Sequence, residues 1–311
     1  MSASPFRAAV LLAAVAAACP PALVTALIAA PAATGFGPLR GGDRVVFLGD
    51  AFFERDGQRG FIEAAVVAAH PDAAVSVRNL GWSGDTVWAD SRGVFDAPAK
   101  GYERMLALVG ELTPTVVFVA YGRHESEKGE AGLEAFRGQL VKLCADVRSA
   151  AAGTARSPAD VRLVLVTPHR FETPDAERRN AALAGYVAAI REVAAAEKAG
   201  LVDLFALSAG PRLTENGIHL SDEGYAAVAA EFARACGRPL PSDFVPRAAE
   251  LRRLVVAKNT LFFHRWRPAN ETYLFLFRKR EQGNNAVEIP QFDPLVVAAE
   301  AKVQAAAREF R

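Results

Sequence analysis

Four short segments concentrate the side chains of this sequence that could do chemistry. They are Gly49-Asp50-Ala51-Phe52-Phe53-Glu54, Asn79-Leu80-Gly81-Trp82-Ser83-Gly84-Asp85-Thr86, Tyr121-Gly122-Arg123-His124-Glu125 and Thr214-Glu215-Asn216-Gly217-Ile218-His219-Leu220. His124 and His219 are imidazoles able to exchange protons near neutral pH, and neutral imidazole can also donate one hydrogen bond. Asp50 is a turn or helix-capping residue by type. Ser83 offers a hydroxyl, but Ser83-Gly84-Asp85 reads first as a turn. Trp82 and Trp88 suit core or rim packing, with a sugar platform as the alternative. His70 stands at a helix end before Pro71, and His169 follows a strand where it would line a rim.

These segments need a scaffold that brings them together, and the hydropathy pattern supplies one. Short apolar runs at Val45–Leu48, Thr115–Ala120, Val161–Val166 and Leu201–Phe205, and the alternating segment Val75–Leu80, read as strands. Between them lie stretches of helical period at Gly60–Ala69, Lys100–Leu112, Leu133–Ala151, Asp175–Ala199 and Ser221–Cys236. Strands alternating with amphipathic helices predict a parallel sheet covered on both faces. In such sheets the loops beyond the carboxyl ends of the strands build the binding crevice. Three of the four segments directly follow a predicted strand, and the fourth opens a predicted helix.

In order and spacing the four segments resemble the blocks of the SGNH (GDSL-type) hydrolase superfamily, over about residues 43–237. The resemblance implies a flavodoxin-like three-layer α/β/α sandwich and hydrolysis of esters, including carbohydrate esters. It also implies roles for single positions, and several are altered here. Ala51 stands where the family has its nucleophilic serine. Gly81 matches the glycine whose N–H helps bind the oxyanion, with Ala51 N–H beside it, and His124 replaces an asparagine donor to the same oxyanion. His219 keeps the base position, whereas Asn216 replaces the aspartate that orients it. Asp50, Trp82 and Arg123 are the candidate substrate contacts. No cofactor is implied, and no metal-ligand spacing supports a centre built on His124, His219 and Asp50.

Magnitudes weigh these departures. In serine proteases, loss of the nucleophile costs about 10⁶ in turnover, and exchanging the orienting aspartate for its amide costs about 10⁴ through the wrong histidine tautomer. The resemblance therefore implies an ester hydrolase with impaired catalysis. The alternative is a non-catalytic protein that holds an acylated or anionic carbohydrate in the same crevice.

Composition bounds what remains. The 311 residues are 51% hydrophobic and 23% charged, with 36 basic and 35 acidic side chains, so a disordered chain and a nucleic-acid partner are both disfavoured. Residues 1–33 carry one positive charge, an apolar run at Ala8–Ala18 and small residues near Ala33, the pattern of an export signal. An exported location is expected, with contact to a membrane only through a retained N-terminal anchor or a lipid-modified Cys19. Residues 34–42 read as a linker. Cys144 and Cys236 would be a disulfide pair or two buried free thiols. From residue 238 to 311 prolines give way to a helix at Leu251–Phe263, a polar and aromatic stretch rich in arginine, and a final helix at Leu295–Arg308. This extension reads as a strap packed on the main domain.

Overall fold

The structure is a computed structural model, and it describes residues 36–311 apart from 211, 282 and 284. The expected export signal, with its cleavage region and Cys19, lies outside the described residues. Five strands form one sheet: β1 (Arg44–Gly49), β2 (Ser76–Gly81), β3 (Val116–Ala120), β4 (Arg162–Thr167) and β5 (Gly200–Asp203). All neighbours pair parallel, in the order β2-β1-β3-β4-β5. The order reverses between β1 and β3, the point where ligand crevices form in such sheets. Register aligns the strand ends, since Gly49 lies beside both Gly81 and Ala120. The loops that follow β1, β2 and β3 therefore leave the sheet at one edge.

The helices are α1 (Ala51–Gly57), α2 (Phe61–Ala68), α3 (Pro98–Leu112), α4 (Leu133–Ala152), α5 (Ala176–Ala196), α6 (Leu204–Leu207), α7 (Asp222–Ala235), α8 (Phe244–Arg247), α9 (Ala249–Trp266), α10 (Glu271–Leu274) and α11 (Phe292–Ala307). Two large apolar clusters lie on opposite faces of the sheet, as alternation along a strand requires. One joins Val45 and Phe47 to α2, α7 and α9; the other joins Val46 and Leu48 to α3, α4 and α5. Cys236 belongs to the first cluster and Cys144 to the second, so the sheet separates them and both are free thiols. Among the described residues no helix is long and apolar enough to cross a membrane.

The fifth apolar run departs from its expected form. The strand ends at Asp203, whose side chain accepts from Ala206 N at 3.1 Å and caps α6, so Phe205 is helical. A turn of helix satisfies there the backbone groups that a longer edge strand would leave open.

Residues 238–311 contribute two long helices, α9 and α11, packed together against α2 and the free side of β2. Between them and the sheet runs a buried polar network. Lys258 Nζ lies 2.7 Å from Glu63 Oε1 and donates to Val77 O at 2.8 Å. Glu300 accepts from Val77 N at 3.2 Å and from both terminal nitrogens of Arg78 at 2.7 and 3.0 Å. Side chains from the extension thus occupy the backbone donor and acceptor that the outer edge of β2 presents, one way proteins close an open strand edge.

Asp56 makes the turn between α1 and α2. Its Oδ1 accepts from Phe61 N and Ile62 N at 3.1 Å each, while Oδ2 has no partner. Burial pushes its pKa up to about 7, with the nearby Glu63 adding to the rise. A folded pKa above the unfolded one means the native state holds the proton more tightly. The stability this group contributes is full below about pH 4 and is lost as pH rises through about 7. Asp56→Asn keeps the capping oxygen without a charge. Its unfolding free energy in urea at pH 8 should exceed that of the natural chain by roughly 4 kcal/mol, with the gap closing toward pH 4. Equal pH slopes for the two proteins would refute the assignment.

Candidate active site

Helix α1 starts at once after β1, and its placement defines the site. Asp50 is its N-cap, accepting from Phe52 N at 2.9 Å. Phe53 stacks on Phe47 of β1 with ring centroids 4.8 Å apart, and Tyr225 of α7 donates to Phe52 O at 2.8 Å. The helix lies so close to β2 that a side chain at Gly81 would meet Glu54 N at 2.1 Å. Ala51 is therefore fixed as the first residue of α1, at the carboxyl end of β1, with a methyl group as its side chain. Its N–H has no intrahelical acceptor at that position.

The loop after β2 is held by a buried triad. Arg92 Nε meets Asp85 Oδ2 at 2.6 Å, Tyr121 Oη donates to the same oxygen at 2.8 Å, and Arg92 Nη2 donates to Leu80 O at 2.8 Å. Trp82 N donates to Gly49 O at 2.9 Å, which brings this loop against β1. Trp82 itself sits under two guanidiniums, Arg267 at 3.7 Å and Arg92 at 5.5 Å from its ring centre. Glu54 accepts from Ser83 N and pairs with Arg267 at 3.1 Å. The extension thus supplies part of the loop's support.

The oxyanion role expected of Gly81 does not fit this geometry. Its N–H already donates to Asn79 Oδ1 at 2.9 Å, and its backbone is packed under α1. Gly84, further along this loop, has φ +77°, an exposed position and no hydrogen bond from its N–H among the described residues. Asn216 differs in the same way. Its Oδ1 accepts from His219 N at 2.8 Å and Ile218 N at 3.1 Å, so the side chain closes its own turn and leaves the imidazole unoriented.

The remaining charged groups gather around Asp50. Arg123 and His124 both act on the buried Asp50 carboxyl, whose pKa is nevertheless raised, chiefly by desolvation. His124 is exposed and begins the 3₁₀ turn Glu125–Gly132. Arg123 Nη2 donates to His169 O, and its guanidinium stacks 4.7 Å from the Phe171 ring centre. Its Nη1 is shielded from solvent and has no partner, and desolvation lowers its pKa to about 10. Beneath Asp50, Arg123 and His169 lies a hollow of about 20 Å³, room for one water.

His219 feels Arg123 as well as Arg55 and Arg59, and its pKa is lowered by desolvation and then by those cations. It is therefore neutral at pH 7. The loop that bears it is anchored on two sides: Glu172 accepts from Leu213 N at 2.7 Å and Thr214 N at 3.0 Å, and Glu215 pairs with Arg55 and Arg59 of the α1 region. His169 is buried and also senses Arg123 and His219. His70 is structural, bridging Val66 O at 3.0 Å and Cys236 O at 2.9 Å. Trp88 lies apart from Trp82, under Lys128. Among the described residues no three His, Cys, Asp or Glu side chains gather in a way that could hold a metal ion.

Sequence reasoning gave no role to Glu54, Glu172 or Arg267, which hold the site loops through contacts far apart in the chain. No local pattern marks such residues.

Comparison with known proteins agrees with this architecture. The model of the GDSL-like lipase/acylhydrolase family matches residues 42–227. No protein of curated function matches the chain. Among solved structures, a gut microbial diltiazem-metabolizing enzyme is 20% identical over 66% of this chain and 49% of its own, with a TM-score of 0.49. The chain thus spans about half the length of that enzyme. LAE5, an alpha/beta hydrolase from the metagenome of Lake Arreo, Spain, is 20% identical over 64% of this chain and 96% of its own, with a TM-score of 0.49. A catalytic mutant of Axe2, an acetylxylan esterase from Geobacillus stearothermophilus, is 17% identical over the same shares, with a TM-score of 0.50. The last of these is a likeness of fold. With more than half of its length matched by the family model, the chain belongs to the GDSL-like lipase/acylhydrolase family.

Proposed function

We propose that this protein is an ester-hydrolase scaffold in which serine acyl transfer is disabled, and that its crevice binds an acyl ester or a carboxylate-bearing small molecule or carbohydrate. One observation carries the reading: the first residue of α1, where the attacking hydroxyl would stand, is Ala51. A methyl group cannot form an acyl-enzyme. The loss of an acid partner for His219 supports it, because an unoriented neutral imidazole is a poor relay even for a water nucleophile.

Binding in the absence of turnover is favoured by Arg123. Its guanidinium, the imidazoles of His124 and His219 that share its charge environment, and the N–H of Ala51 would supply the donors of the crevice. A guanidinium with an unused N–H suits a carboxylate or an ester carbonyl. Ser83 is not a replacement nucleophile in this reading: it is exposed, and no histidine bonds its hydroxyl among the described residues.

The test is chemical. The purified protein should show negligible turnover of aryl acetates and no covalent labelling by a fluorophosphonate. Robust labelling of Ser83 or any other serine would overturn the proposal.

A further inference from the structure

Two segments far apart in the chain bring large exposed apolar side chains to one place. Val94 and Phe95 stand just before α3 and are 43% and 68% exposed, while Phe275 and Phe277 follow α10 and are 45% and 75% exposed. The rings of Phe95 and Phe277 meet edge to face with centres 5.8 Å apart, and Val94 and Phe275 line one hollow. Together the four side chains expose on the order of 400 Å² of apolar surface, a size at which a patch on a monomer is often a binding surface.

The rings are held out rather than left loose. Asp96 N and Arg104 Nη1 both donate to Gly93 O, at 2.8 and 3.0 Å, and Arg104 pairs with Asp96, which ties the first segment to α3. Val94 keeps φ +57° there, a left-handed backbone that β-branched residues rarely adopt, so the fold bears a local cost in presenting Phe95. The second segment closes on itself. Phe275 N donates to Glu271 O at 2.9 Å, Arg278 N donates to Thr272 O at 3.3 Å, and the Arg278 guanidinium lies 4.6 Å from the Tyr273 ring centre.

Charge decides what such a knob fits. Lys100 pairs with Glu103, Arg104 with Asp96 and Arg278 with Glu281, and Glu271 lines the hollow with Arg104, Arg265 and Arg267. Lys279 and Arg280, just beyond Phe277 and both exposed, have no carboxylate partner among the described residues. Protruding aromatic rings beside unpaired cations match the boundary of a bilayer, where rings enter the acyl layer and cations meet headgroup phosphates. A stable protein partner needs about 800 Å² on each side, roughly twice what the patch offers. We propose that this patch docks on lipid bilayers with anionic headgroups, Phe95 and Phe277 entering the acyl layer while Lys279 and Arg280 contact the headgroups. The docking uses no step of the crevice chemistry and is separate from any attachment through residues 1–33.

The experiment uses the full chain carrying Phe277→Trp, with vesicles of phosphatidylcholine alone or mixed with phosphatidylglycerol. The emission of the new indole should shift to the blue and be quenched by lipids brominated on their acyl chains. That readout is local to position 277, and the natural chain in the same titration supplies the background of Trp82, Trp88 and Trp266. The response should reach half its maximum at about tenfold less lipid in the anionic vesicles, and added salt should weaken it. Adding Phe95→Ser should raise the lipid required by at least about tenfold. Lys279→Glu with Arg280→Glu should do the same in the anionic vesicles, with a thermal melt to confirm that each variant is folded. No shift or quenching with either vesicle, an equal response to both, or a response undiminished by Phe95→Ser would each overturn the proposal. So would reversible dimerisation in sedimentation that Phe95→Ser with Phe277→Ser abolishes while position 277 stays silent toward lipid, since the patch would then seat a second copy of the chain.

Discussion

The combined variant Ala51→Ser, His124→Asn, Asn216→Asp should hydrolyse an aryl acetate at least about 10³-fold faster than the natural chain, and it should be labelled by a fluorophosphonate at position 51. Each change addresses a separate deficit. Position 51 is held rigidly by the N-cap Asp50 and by the stacking of Phe53 on Phe47, so a hydroxyl there starts from a fixed backbone. Position 216 already closes a turn through its Oδ1, and an aspartate can keep those bonds to Ile218 N and His219 N. It also adds a negative charge beside an imidazole that is surrounded by Arg55, Arg59 and Arg123. The pH profile of the variant should therefore show the base titrating at a higher pH than His219 does in the natural chain. Ala51→Ser alone should recover much less, because an amide in the orienting position costs about 10⁴ in serine proteases. A triple variant that folds but gains no activity would show that the crevice can no longer seat an ester, and it would count against descent of this site from a working esterase.

Lys258→Ala should lower the unfolding free energy by about 3–5 kcal/mol, read as a shift in the urea midpoint. That is a large fraction of the 5–15 kcal/mol typical of a whole domain. Lys258 is completely buried, and its removal strands the Glu63 charge, leaves Val77 O without a donor and opens a void between α9 and α2. The partner variant Lys258→Met with Glu63→Leu replaces both charges by apolar groups of similar volume and should recover most of the loss, since a fully removed buried pair costs far less than a broken one. A loss below about 1 kcal/mol for Lys258→Ala would mean that the extension is not part of the cooperative fold.

The sheet was legible because each strand announces itself. The buried apolar runs of β1, β3 and β4 end at glycine or polar residues, and the long helices between strands carry enough turns for their period to show. Helix α1 was not legible, since Ala51–Gly57 is seven residues long and has too few turns to display a face. The helices expected in the extension at Leu251–Phe263 and Leu295–Arg308 correspond to α9 and α11, but their seat on the domain was not legible. Their fit rests on Lys258 with Glu63 and Arg78 with Glu300, pairs separated by 195 and 222 positions that no local pattern can connect. The candidate site was legible in its location and less so in its hydrogen bonds. Two of those bonds have one cause. Asn79 and Asn216 each turn their side-chain oxygen back onto a backbone N–H two residues further on, and so settle the fates of Gly81 and of the His219 ring. Asparagine is disposed to such turns, which is the signal the sequence did contain.

The two thiols sit on opposite faces of the sheet, each with its pKa pushed up to about 12 by burial. They cannot find one another unless the sheet itself comes apart. Once folded, this domain is thus indifferent to whether its surroundings are oxidising or reducing, and each thiol serves as a built-in reporter of solvent entry into its own helical layer.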